Sequence, residues 1–340
     1  MAVPCTIVGF GAVGKLLYRL VKERALPVEQ PRVFARTERT EVLDGDEIQV
    51  GTVSEEAFPE GGVALFAGSE GVGNVSEQWG RVAAQRGCTV IDNSSTFRME
   101  PDVPLVVPEV NPHALGPDTR LIANPNCSTI QMVVAIAPIH RAAGIERIVV
   151  STYQSTSGAG GYAAEIMWDE ARAVLDGKPG KHDDSPFAQQ IAFNCVPLIG
   201  GPDQTGYTSE ERKMIHETRK ILGDDSIGVS ATTVRVGVEV GHAECVNLQL
   251  KQPLSAQEAR ELLDRAPGVV VLDDWAAPER TPTPLDSAGR DDVLVGRLRE
   301  DESVEFGLDM WVVADNLRKG AATNAVQIAE ALFSKGHLGA

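Results

Sequence analysis

The chain has 340 residues, 43% of them hydrophobic and 23% charged, and a formal net charge of −17. That length is too great for one small core and predicts two domains, while no apolar run is long enough to span a bilayer. The acidic balance offers no cluster of Lys and Arg to neutralise phosphates, so neither nucleic acid nor a membrane is expected as a partner.

"MAVPCTIVGFGAVG" has no basic region before its apolar stretch and no small-residue cleavage site, so it reads as a first strand and the expected location is cytoplasmic. "TIVGFG" ends in glycine, "AVGKLLYRLVKERAL" repeats apolar residues at helical spacing, and "RVFAR" is the next strand, which together make a βαβ unit. "GVALFAG", "VSEQWGRVAAQRG" and "TVIDNSS" continue the alternation and predict a doubly wound, mostly parallel sheet. From "RIVVSTYQSTSG" the rhythm changes to longer strands, "SIGVSATTVRVGVEVG", "ECVNLQLKQP", "DVLVGRLRE" and "VEFGLDMWVVAD", an α+β second domain. "DGKPGKHDDSPF" and "APERTPTPLDSAGRDD" read as surface loops. The closing "DNLRKGAATNAVQIAEALFSKG" is helical in period and is expected to pack back on the first domain. The fold class is therefore α/β, with a Rossmann-like domain over residues 1–126 completed by 316–340, and an α+β domain over 127–315.

Gly9, Gly11 and Gly14 form "GFGAVG" directly after the first strand. The first permits a tight turn, the second lets backbone approach a pyrophosphate, and the third allows close helix–sheet packing; Ala12 and Val13 open the helix whose N-terminus would face the anion. A purely structural turn is the alternative. At the end of the second strand, "FARTERT" offers Arg36, Thr37, Arg39 and Thr40, which suit the 2′-phosphate of NADP, while Glu38 keeps NAD open and two solvated arginines are the bland reading.

The cysteines Cys5, Cys88, Cys127, Cys195 and Cys245 are scattered without a CxxC pair, which predicts neither a disulfide framework nor a metal site. In "NPNCSTIQ", Pro125 bars a helix before it and "CSTIQMVVAIAPIHRAAG" is helical in period, placing Cys127 at a helix N-terminus. Free amides and the positive end of the dipole there favour thiolate, so Cys127 is a candidate nucleophile. The other four lie within or beside apolar strand-like runs and read as buried small hydrophobes. A nucleophilic cysteine needs a proton partner, and of six histidines His242 stands apart, at the end of "SATTVRVGVEVGH" after Arg235. Glu210 and Lys213 share a helix face at i, i+3, with Thr208 and Glu211 spaced as a capping box; alone they read as a solvated ion pair.

"NPNCSTIQ", "STYQSTSGAG", "IAFNCVPLIG", "EERKM", "VRVGVEVGH", "NSSTFRMEPDVPLVVPEVNP" and "DNLRKGAATNAVQIAEAL" together resemble the bacterial aspartate-β-semialdehyde dehydrogenase family, from first strand to last helix. The resemblance implies a homodimer with a Rossmann domain, a catalytic and dimerisation domain, and NADP as redox partner. The implied reaction is the reversible, phosphorylating interconversion of L-aspartyl-4-phosphate and L-aspartate 4-semialdehyde, on the way to lysine (through diaminopimelate), threonine and methionine. By the same resemblance Cys127 is the nucleophile, Gln154 orients the acyl intermediate and His242 is the acid/base. Arg235 would bind the α-carboxylate, Glu210 the ammonium, and Lys213, Arg98 and Asn126 the phosphate. Ser157, Gly158, Asn316 and Gln327 would lie by the nicotinamide.

The chain departs from the family pattern at several places, Thr156 within "QSTSG" being a minor one. "VGFGAVG" stands where "GATGAVG" is usual, "ARTERT" is a residue longer than the usual stretch, and Gly237 and Ala243 replace a proline and a serine. A related acyl-phosphate reductase, such as one acting on N-acetylglutamyl phosphate, is set apart by Glu210, because an acetylated nitrogen needs no acid. A non-catalytic dinucleotide-binding regulator is set apart by Cys127, Gln154, Arg235 and His242 standing together.

Overall fold

A computed structural model of the chain describes residues 2–68, 74–274 and 276–339. The chain divides into two compact units, 1–126 with 321–340, and 127–320. Residues 316–320, assigned above to the closing segment of the first domain, group with the second unit.

The first unit runs β1 (Cys5–Val8), α1 (Ala12–Glu23), β2 (Arg32–Ala35), β3 (Arg39–Leu43), β4 (Asp46–Thr52), β5 (Val63–Phe66), α2 (Val75–Gln85), β6 (Thr89–Asp92) and β7 (Leu121–Ala123). Its sheet has the order β3-β4-β2-β1-β5-β6-β7 and is parallel except between β3 and β4. Every residue of β1, β5 and β6 is buried, as strands covered on both faces require. α1 turns Leu17, Tyr18, Leu20 and Val21 inward at helical spacing. The β3–β4 hairpin is not among the elements expected above; its turn is Asp44 and Gly45, both at positive φ, as a two-residue hairpin turn of the I′ kind needs. The closing helix Thr323–Ser334 belongs to this unit and buries Ala325, Val326, Ile328, Ala329 and Leu332 in its core.

The second unit contains α3 (Cys127–Ala143), β8 (Ile145–Gln154), α4 (Gly161–Leu175), β9 (Cys195–Val196), α5 (Ser209–Leu222), β10 (Gly228–Val236), β11 (His242–Leu250), α6 (Ala256–Leu263), β12 (Val269–Val271), α7 (Pro284–Ser287), β13 (Val293–Asp301) and β14 (Gly307–Ala314). Its mixed sheet has the order β12-β13-β14-β11-β8-β10-β9. α3 is buried at every residue from 128 to 137, so its first turn is held by a rigid element. α7 interrupts the second of the two stretches expected as loops.

Two expectations are corrected. "SATTVRVGVEVGH" is not one strand: β10 stops at Val236 and His242 opens β11 instead of ending β10. Residues 237–241 turn between them, where a Cβ on Gly237 would lie 3.0 Å from Ile191 O and Gly241 takes φ +96° against Pro284 O. β8 lies between the two strands, parallel to β10 and antiparallel to β11, so this connection arches over its end; Thr156 N and Ser157 N donate to Val238 O and Glu239 O. The second correction concerns thiols. Cys5 and Cys88 are buried, with burial raising each thiol to about 12, but Cys195 is exposed and Cys245 half-buried.

Candidate active site

Cys127 is the first residue of α3, at the positive end of that buried helix. Gln154 ends β8, and the parallel register of β10 sets Arg235 directly beside it. Arg235 is buried and its Nη1 donates to Ser155 O at 2.6 Å. Burial lowers its pKa, Glu210 and Cys127 oppose that from nearby, and a guanidinium keeps its charge regardless. The expected capping box fixes the start of α5: Thr208 N donates to Glu211 Oε2 at 2.8 Å and Glu211 N to Thr208 Oγ1 at 3.3 Å. This box presents Glu210, which accepts from Gln154 Nε2 at 3.4 Å and pairs with Lys213 Nζ at 3.2 Å. The pair is not a solvated one, since the two side chains are only 9% and 17% exposed.

His242 is fully buried against the end of β8. Its Nδ1 accepts from Ser155 N at 3.0 Å, so the ring proton sits on Nε2, and Nε2 has no hydrogen-bond partner among the described residues. Burial, and then the Arg235 charge, push His242 down to about 3, so the ring is neutral at ordinary pH. Asn316 ties the loop together behind it: Oδ1 accepts from Gly241 N and Ser155 Oγ, each at 2.9 Å, and Nδ2 donates to Ser157 Oγ at 3.0 Å. A Cβ on Gly158 would lie 2.9 Å from Arg235 Nη1 and 3.1 Å from His242 Nε2. A Cβ on Gly320, in the π-helical turn Arg318–Ala322, would lie 2.8 Å from Cys127 Cβ. Two residues missed by sequence reasoning emerge here. Ser155, inside the quoted "STYQSTSG", fixes the histidine tautomer, and Gly320, inside "RKGAA", leaves the Cys127 side chain its space.

In the first unit the glycines behave as the dinucleotide pattern requires. Gly9 has φ +92°, a Cβ on Gly14 would lie 2.0 Å from Gly9 O, and a Cβ on Gly11 would meet nothing within 4 Å. The open space is thus at Gly11, before the first-turn residues Ala12 and Val13, where a pyrophosphate fits. Residues 36–40 are all exposed. Arg39 is engaged with Glu41 at 2.6 Å, and Glu41 also holds Lys15 at 2.6 Å; these two cations keep the Glu41 carboxyl low. Arg36 joins no ion pair among the described residues. Arg98 is buried and donates to Asn124 O at 3.0 Å and Asn93 O at 2.8 Å; Asn126 is buried too, and Gln327 donates to Glu109 at 3.1 Å. Among the described residues no group of His, Cys, Asp and Glu is placed to hold a metal, and no helix is long and apolar enough to cross a membrane.

A parallel sheet with a glycine turn fitted to a dinucleotide is the frame of a nicotinamide-dependent oxidoreductase. The family model for the semialdehyde dehydrogenase NAD binding domain matches residues 5–117, and that for the semialdehyde dehydrogenase dimerisation domain matches 136–319. The chain belongs to the semialdehyde dehydrogenase family, a family of oxidoreductases with an NAD(P)-binding domain. It is 48% identical to aspartate-semialdehyde dehydrogenase of Aquifex aeolicus over 96% of both chains, and 46% identical to that of Legionella pneumophila over 95% of this chain and 93% of the other. Among solved structures, aspartate semialdehyde dehydrogenase II from Vibrio cholerae matches with a TM-score of 0.91 at 45% identity, over 98% of this chain and 99% of that one.

Proposed function

We propose that the protein is an NADP-dependent, phosphorylating aspartate-semialdehyde dehydrogenase, a cytoplasmic homodimer serving lysine, threonine and methionine synthesis. The observation that carries this is the convergence of Gln154, Glu210, Arg235 and His242, with the helix start bearing Cys127, on the second unit's sheet. Arg235 and Glu210 are one fixed cation and one fixed anion, as a free amino acid's carboxylate and ammonium require. The names and lengths of the relatives support the same substrate.

In the biosynthetic direction the Cys127 thiolate attacks C4 of aspartyl phosphate, the bond to the phosphate oxygen breaks, and inorganic phosphate leaves with that electron pair. A thioester remains on Cys127, held in place by Gln154. When bound, NADPH supplies the hydride that reduces this acyl group. His242 Nε2–H donates a hydrogen bond to the developing oxyanion, which then re-forms the carbonyl as the C–S bond breaks and its electron pair returns to sulfur. Backbone amides at the start of α3 add to oxyanion stabilisation. Lys213 serves the leaving phosphate; the phosphate role of Arg98 and Asn126 and the nicotinamide role of Ser157, Gly158, Asn316 and Gln327 rest on the resemblance. In the first unit Gly9, Gly11 and Gly14 would cradle the pyrophosphate, and Arg36 with Thr37 would read the 2′-phosphate, with Arg39 behind them.

The test is a trapped intermediate. With semialdehyde and NADP but no phosphate, intact mass should show an aspartyl adduct on Cys127 that vanishes when phosphate is added. An adduct that survives Cys127→Ser, or none in the wild type, contradicts the proposal.

A further inference from the structure

Glu244 is fully buried, and the chemistry above makes no use of it. It stands two residues after His242 on β11, so the two side chains leave the same face of that strand. Gln131 stands four residues after Cys127 on α3, one turn along the same face, and is fully buried as well. Gln131 Nε2 donates to the carbonyl of His242 at 3.3 Å. Among the described residues, neither Glu244 oxygen nor Gln131 Oε1 has a hydrogen-bond partner.

An ionised carboxylate in that place lacks a countercharge. Its cross-strand neighbours are Thr152 on β8 and Val312 on β14, neither of them charged, and the Thr152 hydroxyl is already an acceptor for Val234 N. Burial raises Glu244 well above the ordinary carboxyl range, and the Gln131 side chain is the polar group that opposes the rise. A carboxylic acid resolves both deficits at once, because its O–H finds in Gln131 Oε1 an acceptor that is otherwise unused.

We propose that Glu244 is kept as a neutral acid donating to Gln131, and that this pair is a positioning element that fixes the Cys127 helix against His242. The chain of bonds runs from the Glu244 O–H to Gln131 Oε1, and from Gln131 Nε2 to the His242 carbonyl. It joins the nucleophile's helix to the strand of the proton donor one turn behind the reacting atoms. The inference rests on the role of His242 at the oxyanion proposed above.

Two measurements test it. At neutral pH the wild type should show the infrared carbonyl band of a protonated carboxyl that Glu244→Gln lacks; no such difference overturns the neutral acid. Glu244→Gln, which keeps a neutral donor, should retain kcat within about twofold, whereas Glu244→Leu and Gln131→Leu should lose on the order of tenfold in kcat with KM for the semialdehyde unchanged. Full kcat in both leucine variants, or a loss confined to thermal stability, overturns the positioning role. Cys127→Ser, assayed alongside, separates the two ideas. Turnover there refutes the proposed function, while an inert Cys127→Ser beside fully active leucine variants refutes the inference alone.

Discussion

Replacing Gly320 by alanine should damage catalysis far more than its size suggests. The new methyl would stand 2.8 Å from Cys127 Cβ and 3.3 Å from Cys127 Cα. Unstrained carbon contacts begin at about 3.5–4.0 Å, so the π-helical turn and the start of α3 must separate by about 1 Å. Neither neighbour is the loose end of a side chain: both atoms belong to Cys127, the first residue of a helix that is buried from 128 to 137. Overpacking of this kind costs about 1–3 kcal/mol of stability, and a displacement of about 1 Å at a reacting atom costs on the order of a hundredfold in rate. The assay is phosphate-dependent oxidation of L-aspartate semialdehyde, with urea unfolding run in parallel. Gly201→Ala, where a Cβ would meet nothing within 4 Å, serves as the control. A folded Gly320→Ala protein with kcat within about twofold of wild type would refute the reasoning.

The dinucleotide turn gives a contrast. Gly14→Ala, whose Cβ would lie 2.0 Å from Gly9 O, should lose about 3 kcal/mol in urea unfolding, while Gly11→Ala should keep its stability and raise KM for NADP on the order of tenfold. Equal stability losses in the two would count against the reading. Arg36→Ala should raise KM for NADP on the order of tenfold and leave KM for NAD alone; a parallel rise in both would deny it the 2′-phosphate. His242 titrates at about 3 in the fold against an ordinary 6.5, so between those values the unfolded chain binds a proton that the folded chain refuses. Stability should therefore fall as pH drops through that window, by up to about 5 kcal/mol, and be untouched above it. His242→Gln should flatten that acid limb in a plot of Tm against pH, and an unchanged limb would contradict the assignment.

Features ruled by neighbours in sequence were the legible ones. The glycine spacing, the proline before Cys127 and the Thr208–Glu211 box each act within one turn, and each is found where the sequence puts it. Where a distant segment decides, the sequence is silent. The alternation in "TTVRVGVEV" runs on past Val236, but Ile191 O and Pro284 O crowd the glycines and turn the chain, which is why His242 opens a strand instead of closing one. Ser155 earns its place only because that arch brings His242 against it. Arg39 reads in the sequence as a ligand for phosphate, and the structure sets it on β3 beside Glu41, a pairing that no local pattern announces. The β3–β4 hairpin itself was readable, since Asp44-Gly45 between alternating residues is a strong local turn signal.

In the mechanism proposed above, sulfur hands the acyl group to phosphate. The most direct test of that step is NADPH formation from L-aspartate semialdehyde, followed by absorbance with and without phosphate, with NAD as a parallel cofactor. Turnover should require phosphate, favour NADP and vanish in Cys127→Ser. Steady turnover without phosphate, or activity that survives loss of the thiol, would contradict it.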